Sequence, residues 1–334
     1  MGVARQVLGF VVPAYLAALL VDYAAYSLGP TVGGPAVLAW GAARMWSVAG
    51  VSALCLLVRG VDVRGWLGEA LGLSRRALVH YLLSPLIAYA ALGVYVLAAH
   101  PLGLFDFGAY VELLASRLRE AGVDLILDSR RPGFVKPREV PPVHPPDVEA
   151  LAQVVAVAQV PLAYAAAVTV NALLAMGEEL GWRGYLYWLL GRRPTLASTI
   201  VIGACWGLWH APAVVLLGYN YPHSRALGVL VFTALTVALT YPHLVVTSKA
   251  RSVLPACSLH GAINALWPLA SLATRLPAEQ RELLLGQGLL GILAWGVTAA
   301  LVYIHTFQST RNKGVSYPQI RSCQLAGNLP ILTR

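Results

Sequence analysis

Three pairs of residues share one spacing: Glu179 and Arg183, Trp206 and His210, and His260 and Asn264 each stand four positions apart. Four residues are about one turn of an α-helix, so in helical segments each pair lies on one face and can act together. Glu178 precedes the first pair. Neighbouring helical residues point about 100° apart, so Glu178 and Glu179 cannot do the same job. Glu179 can pair with Arg183, which leaves Glu178 as the carboxylate available for chemistry. A carboxylate base, imidazoles and N–H donors for a developing negative charge are the equipment of hydrolysis. The same groups could instead carry protons or ions across a membrane, or tie helices together through hydrogen bonds. Asn171, seven residues before Glu178 on the same face, either orients that carboxylate or bonds a neighbouring helix.

The elements that must position these residues are oily. Hydrophobic residues make up 58% of the 334 and charged residues 12%, with a mean hydropathy of +0.66, far from the usual soluble mix. Apolar windows of about 20 residues, the length that crosses a bilayer, fall at 8–27, 36–58, 78–99, 153–177, 195–218, 226–247, 253–273 and 285–306. They predict an all-α polytopic transmembrane bundle of about eight spans. Residues 1–310 read as one transmembrane helical domain, with a core at 153–273 holding the three pairs, a long loop at 100–152 and a basic, poorly ordered tail at 311–334. Ionisable groups inside spans are expensive and are functional suspects by default. At about 1.5 Å per residue, Glu178 and His210 each lie roughly 21 Å from the inner edge and His260 roughly 14 Å. The site is therefore expected beneath the inner leaflet's surface, in a cavity that admits water. A helix running from Val154 through Leu190 is too long for one span, so a break or tilt is expected near Gly181 or Gly184.

Lys and Arg outnumber Asp and Glu 24 to 15, but they are not gathered in a patch, and no nucleic-acid partner is indicated. They mark topology instead. With eight spans both termini share a side, and the segments on that side carry 13 basic residues, against Arg225, Arg275 and Arg281 in the short loops opposite. The positive-inside rule then places both termini in the cytoplasm. Asp22 in the first span and Arg44 in the second read as an ion pair between adjacent helices, with a functional polar site as the alternative.

In the long loop, Tyr110, Leu114 and Leu118 mark one face of a short amphipathic helix between spans three and four, with Arg117, Arg119 and Glu120 on the other. Pro132, Pro137, Pro141, Pro142, Pro145 and Pro146 follow as an extended linker. The stretch 275–288 reads as a solvated turn. The N-terminal apolar run reads as a retained first span and not a removed signal peptide. Cys55, Cys205, Cys257 and Cys323 are scattered, with no Cys-x-x-Cys, and read as small buried hydrophobes. His80, His100, His223, His243 and His305 fall near span ends and His144 in the proline-rich stretch, as interface or loop residues.

Glu-Glu-x-x-x-Arg at 178–183, aromatic-x-x-x-His at 206–210 and His-x-x-x-Asn at 260–264, in that order and each in its own hydrophobic segment, resemble the CPBP family of intramembrane proteases. That family includes the CAAX prenyl endopeptidases and bacteriocin-immunity proteins. The second motif commonly opens with Phe, and Trp206 keeps an aromatic wall. The resemblance implies an intramembrane endopeptidase in which Glu178, helped by His210, takes a proton from water. His260 and Asn264 would offer N–H groups to the oxyanion, Glu179 and Arg183 would lock the helix, and Trp206 and Trp209 would wall the site.

Metal is an open point at this level. Glu178, His210 and His260 are a ligand set of the kind seen at catalytic zinc, so zinc or another divalent cation is a candidate cofactor. The chain lacks His-Glu-x-x-His, and a glutamate-activated water uses the same residues without metal, which is the version favoured here. The expected partners are the bilayer and a membrane-anchored protein or peptide, with a prenylated CAAX-type C-terminus as the family analogy. A membrane transporter and a non-catalytic immunity or partner protein remain the alternatives, although no internal repeat supports the first.

Overall fold

The computed structural model describes residues 2–29, 35–122 and 146–312. The linker prolines from Pro132 to Pro145, His144, Cys323 and the tail from Lys313 onward lie outside the described residues. Within them the chain is helical throughout, without strands.

α1 (Val3–Ser27) and α2 (Pro35–Val58) form an adjacent pair. α3 (Val63–Leu71) lies at the end of α2, where the Asp62 carboxylate accepts from the Arg64 amide, and it ends in the left-handed Gly72. α4 (Arg75–Leu83), capped by Ser74, runs almost directly into α5 (Pro85–Ala99), and together they make the third span. α6 (Phe107–Glu120) is the expected amphipathic helix, started by Asp106, whose carboxylate accepts from the Ala109 amide at 3.0 Å. Its Leu114 and Leu118 pack with buried Ala115 against Val148 and Ala152 of α7 (Pro146–Ala167).

α7 returns along α4 and α5, tied by three tyrosines. Tyr81 donates to the Val168 carbonyl, Tyr164 to that of Leu82, and Tyr89 to that of Val160, at 2.5–2.9 Å. The expected continuous span at 153–177 is not one helix. It is interrupted at Val168–Thr169, and α8 (Val170–Glu179) starts afresh. Three successive β-branched residues lower helix propensity here. The Thr169 hydroxyl also caps the preceding turn by donating to Ala165 O at 2.6 Å. Gly181 and Gly184 do not break the chain; they fall in a π-helical stretch, Leu180–Leu186, that leads into α9 (Tyr187–Leu189). Such π insertions shift side-chain register and frequently mark functional sites.

α10 (Leu196–Trp209) opens with a capping box of Thr195 and Ser198, and a second π-helical turn, Ala213–Leu217, extends it. α11 (Arg225–Ala250), α12 (Leu254–Leu272), α13 (Ala278–Leu284) and α14 (Leu289–Asn312) complete the bundle. Among the described residues, seven helices are long and apolar enough to cross a membrane. The eighth window, 253–273, is present as α12. Its His260, Asn264, Pro255 and Pro268 dilute its hydropathy, and it is the most enclosed element of the site, packed against α4, α5, α7, α8 and α11.

Close approach of α8 to α2 depends on Gly177. A Cβ there would lie 2.7 Å from Met45 O and Trp46 Cα. The stretch 275–288 is more than a solvated turn: Glu282 of α13 is buried, and its carboxylate accepts from the His223 and Ser224 amides and from His223 Nδ1 at 2.6 Å.

Candidate active site

The three paired stripes meet. α8 carries Glu178 and Glu179, the π turn after it carries Arg183, α10 carries Trp206 with His210 at its C-cap, and α12 carries His260 and Asn264. Glu178, Glu179, Arg183, Trp206, His210 and His260 are all buried.

The two glutamates have separate partners, as their 100° offset requires. Glu179 Oε1 accepts from Arg183 Nη1 at 3.0 Å and from His260 Nδ1 at 2.8 Å. Glu178 has no cation paired with it among the described residues. Its Oε2 accepts from the Trp206 indole N–H at 2.6 Å. The Arg183 guanidinium lies over the Trp206 ring, 4.2 Å from its centroid, so one indole contacts both halves of the cluster.

Hydrogen-bond chemistry sets the imidazole tautomers. His210 Nδ1 faces the Trp206 carbonyl at 2.9 Å. A carbonyl only accepts, so this nitrogen carries hydrogen and Nε2 keeps the lone pair. His260 Nδ1 likewise donates to the Glu179 carboxylate, so His260 offers a second N–H only when protonated.

Glu178, Trp206, His210, His260 and Asn264 line one cavity of about 90 Å³. That volume holds several waters at about 10–15 Å³ each. Asn264 is exposed at its edge. Trp209 is not part of this wall, contrary to expectation. It is fully buried behind it, donating to Ala14 O at 3.2 Å and carrying Arg44 on its ring at 3.7 Å. Trp209 directly precedes His210, so the two side chains point about 100° apart on α10.

Asp22 and Arg44 form the expected ion pair at 3.0 Å, and Trp40 also donates to Asp22 at 2.9 Å. Arg44 also lines the cavity and donates to Trp209 O at 2.9 Å. Asn171 bonds the Gly261 carbonyl of α12 at 3.1 Å, which makes it an interhelical tie.

His243 was expected at a span end and is instead fully buried beside the site. Its ring centroid is 5.9 Å from that of Trp206 and 6.2 Å from that of His260. The sequence held a usable signal: Thr236, Thr240, His243 and Thr247 form a polar stripe at helical spacing, and all four are buried.

The candidate metal ligands do not form a ligand set. Among the described residues no three His, Cys, Asp or Glu side chains stand close enough together to hold an ion. Glu178 Oε2 is engaged by an indole N–H and His260 Nδ1 by Glu179.

The cavity's lining residues Trp40, Tyr219 and Gln287 are partly exposed, and Asn264 is more exposed still. Trp40 and Tyr219 also wall an adjoining apolar groove of about 430 Å³ with Tyr26, Val37, Leu216 and Leu217. A cavity of about 470 Å³ at the basic end reaches Arg183 but none of Glu178, His210 or His260.

Fold and site together define a polytopic membrane protein with a buried acid–base cluster. Residues 159–266 match the family model for type II CAAX prenyl endopeptidases, Rce1-like. That segment contains every motif residue from Glu178 to Asn264 and is similar to this family. The match supports, at the family level, a membrane-embedded protease acting on a membrane-associated protein. No curated protein matches the chain.

Proposed function

We propose that the chain is an endopeptidase that hydrolyses a peptide bond of a membrane-anchored protein through a water activated by Glu178, with a prenylated CAAX-type C-terminus as the substrate the family match points to. One observation carries the reading: of two adjacent buried glutamates, one is consumed by Arg183 and His260 and the other is left in a cavity with a single indole N–H.

In this mechanism Glu178 accepts a proton from water as the water oxygen attacks the scissile carbonyl carbon, and then returns it to the leaving amine nitrogen. The lone pair on His210 Nε2 positions the same water. Asn264 Nδ2–H and the Nε2–H of protonated His260 receive the oxyanion, each such donor being worth about 2.7–4 kcal/mol in comparable sites. Glu179 would hold His260 in its orientation much as a carboxylate holds the histidine of a hydrolytic triad. No step of this mechanism is assigned to a metal, and among the described residues no three His, Cys, Asp or Glu side chains gather as a ligand set.

The test is cleavage of a fluorogenic farnesylated CAAX-type peptide by detergent-purified protein, beside Glu178→Ala and with and without chelator. Cleavage that disappears in the variant and survives the chelator is the expected result. A wild type that leaves both this peptide and unlipidated membrane peptides intact would remove the proteolytic reading.

A further inference from the structure

The cavity of about 470 Å³ lies apart from Glu178, His210 and His260, where the π-helical stretch, the turn after α9, the end of α11 and the start of α12 come together beside α3. The Val253 amide donates to Ala70 O at 2.9 Å and the Ser252 hydroxyl to Leu71 O at 2.5 Å, which fixes α3 against that junction. Three guanidiniums line the space, those of Arg183, Arg192 and Arg251, against one carboxylate, Glu69. Glu69 is exposed and pairs with Arg192. Arg183 pairs with Glu179, and Arg251 has no ion pair among the described residues.

Two of the lining donors are buried and unsatisfied. Among the described residues Arg183 Nε and Thr247 Oγ1 have no hydrogen-bond partner, and these residues are 1% and 7% exposed. Buried polar groups are nearly always hydrogen-bonded, and a guanidinium N–H can only donate, so the missing partner is an acceptor. The backbone adds a second sign. Among the described residues three that are not glycine have positive φ, and two of them, Arg192 at 53° and Arg251 at 56°, line this cavity. Arg251 occupies the left-handed position that ends α11, where glycine is usual. Strained residues of this kind persist where the surroundings hold them, and they cluster at ligand clamps.

Guanidiniums from three separate elements surround the space, so the occupant carries negative charge and accepts hydrogen bonds from several directions. A carboxylate offers two coplanar oxygens, whereas a phosphate group presents its oxygens tetrahedrally. We propose that this cavity binds a phosphate group, either inorganic phosphate or the headgroup of an anionic phospholipid, which basic pockets between membrane helices suit. One side chain joins this site to the acid–base cluster, because Arg183 Nη1 donates to the same Glu179 oxygen that holds His260.

The test is the thermal unfolding midpoint of the delipidated full chain in an uncharged detergent, at constant pH and ionic strength. Inorganic phosphate and dihexanoyl phosphatidic acid are compared with acetate, chloride and dihexanoyl phosphatidylcholine. Inorganic phosphate or phosphatidic acid should raise the midpoint by at least about 3 °C over chloride, as a ligand of the folded state does. Acetate and phosphatidylcholine should not. A gain from inorganic phosphate identifies a free anion as sufficient, and a gain from phosphatidic acid alone identifies the headgroup. Arg251→Gly removes the guanidinium and suits the left-handed backbone, and Thr247→Val removes the unsatisfied hydroxyl at nearly equal volume. Each variant should keep its midpoint in chloride and lose most of the phosphate-dependent gain, and if one fails to fold the other decides. No gain from either phosphate compound, an equal gain from acetate, or a gain that the variants retain in full would overturn the proposal.

Discussion

The Trp206 indole N–H donates to Glu178 Oε2 at 2.6 Å, joining residues 28 positions apart on α10 and α8. It is the one hydrogen bond that the carboxylate receives among the described residues. Trp206→Phe keeps the ring and removes the donor. Hydrogen bonds to charged groups contribute about 1.5–3 kcal/mol, so kcat should fall about 10- to 100-fold, with KM within about twofold. Steady-state kinetics decide it, and an unchanged kcat would show that the bond does not tune the base.

The Glu179–Arg183 pair is shielded from solvent, with neither side chain exposed. Removing one partner of a buried pair leaves an uncompensated charge and costs about 3–5 kcal/mol. Glu179→Gln and Arg183→Met should each lower the thermal unfolding midpoint in detergent, and the double variant should recover much of the loss. Additive losses in the double variant would show that the pair is not coupled.

Gly177→Ala pushes a methyl group into the α2 backbone at Met45 and Trp46. Overpacking of this kind costs about 1–3 kcal/mol, and here it also moves Glu178. Gly9→Ala on α1 meets nothing within 4 Å and should be neutral or slightly stabilising through helix propensity. Comparing the two midpoints and the two activities separates a steric effect from a general one.

Arg275 clamps α6 outside the spans. The Ala109 amide and the Arg275 guanidinium hold the Asp106 carboxyl below its ordinary range. Arg275 does the same for Glu112, and its own guanidinium is raised by both. A carboxylate whose folded pKa is depressed stabilises above its unfolded pKa and loses that contribution as pH falls through the folded value. Docking of α6 should therefore be constant near neutrality and weaken below about pH 4. Amide exchange of α6 at pH 7 and pH 3 measures this, and Arg275→Ala should remove most of the difference.

Spacing four apart made each motif pair legible because a helix turn brings such residues together without help from the rest of the fold. Glu178 and Glu179 separate for the same local reason. His243 escaped because it falls near the end of the 226–247 window, although its stripe with Thr236, Thr240 and Thr247 was in the sequence. The interruption at Val168–Thr169 was hidden by hydropathy, which does not register a run of β-branched residues. Trp209 was expected in the wall from the family resemblance, and its actual position depends on how α10 rolls against α1 and α2.

The sequence by itself determined that this chain is a helical membrane bundle with a glutamate, two histidines and an asparagine on inward stripes, because composition and helical period are local properties. It also carried the charge asymmetry of the loops. Only the tertiary structure decided that Trp206 holds Glu178 while His260 goes to Glu179, and that both histidines and Glu178 line one cavity. Those outcomes depend on the rotation and tilt of α8, α10 and α12 against one another. Such packing is set by close approaches like Gly177 on Met45, between residues far apart in the chain.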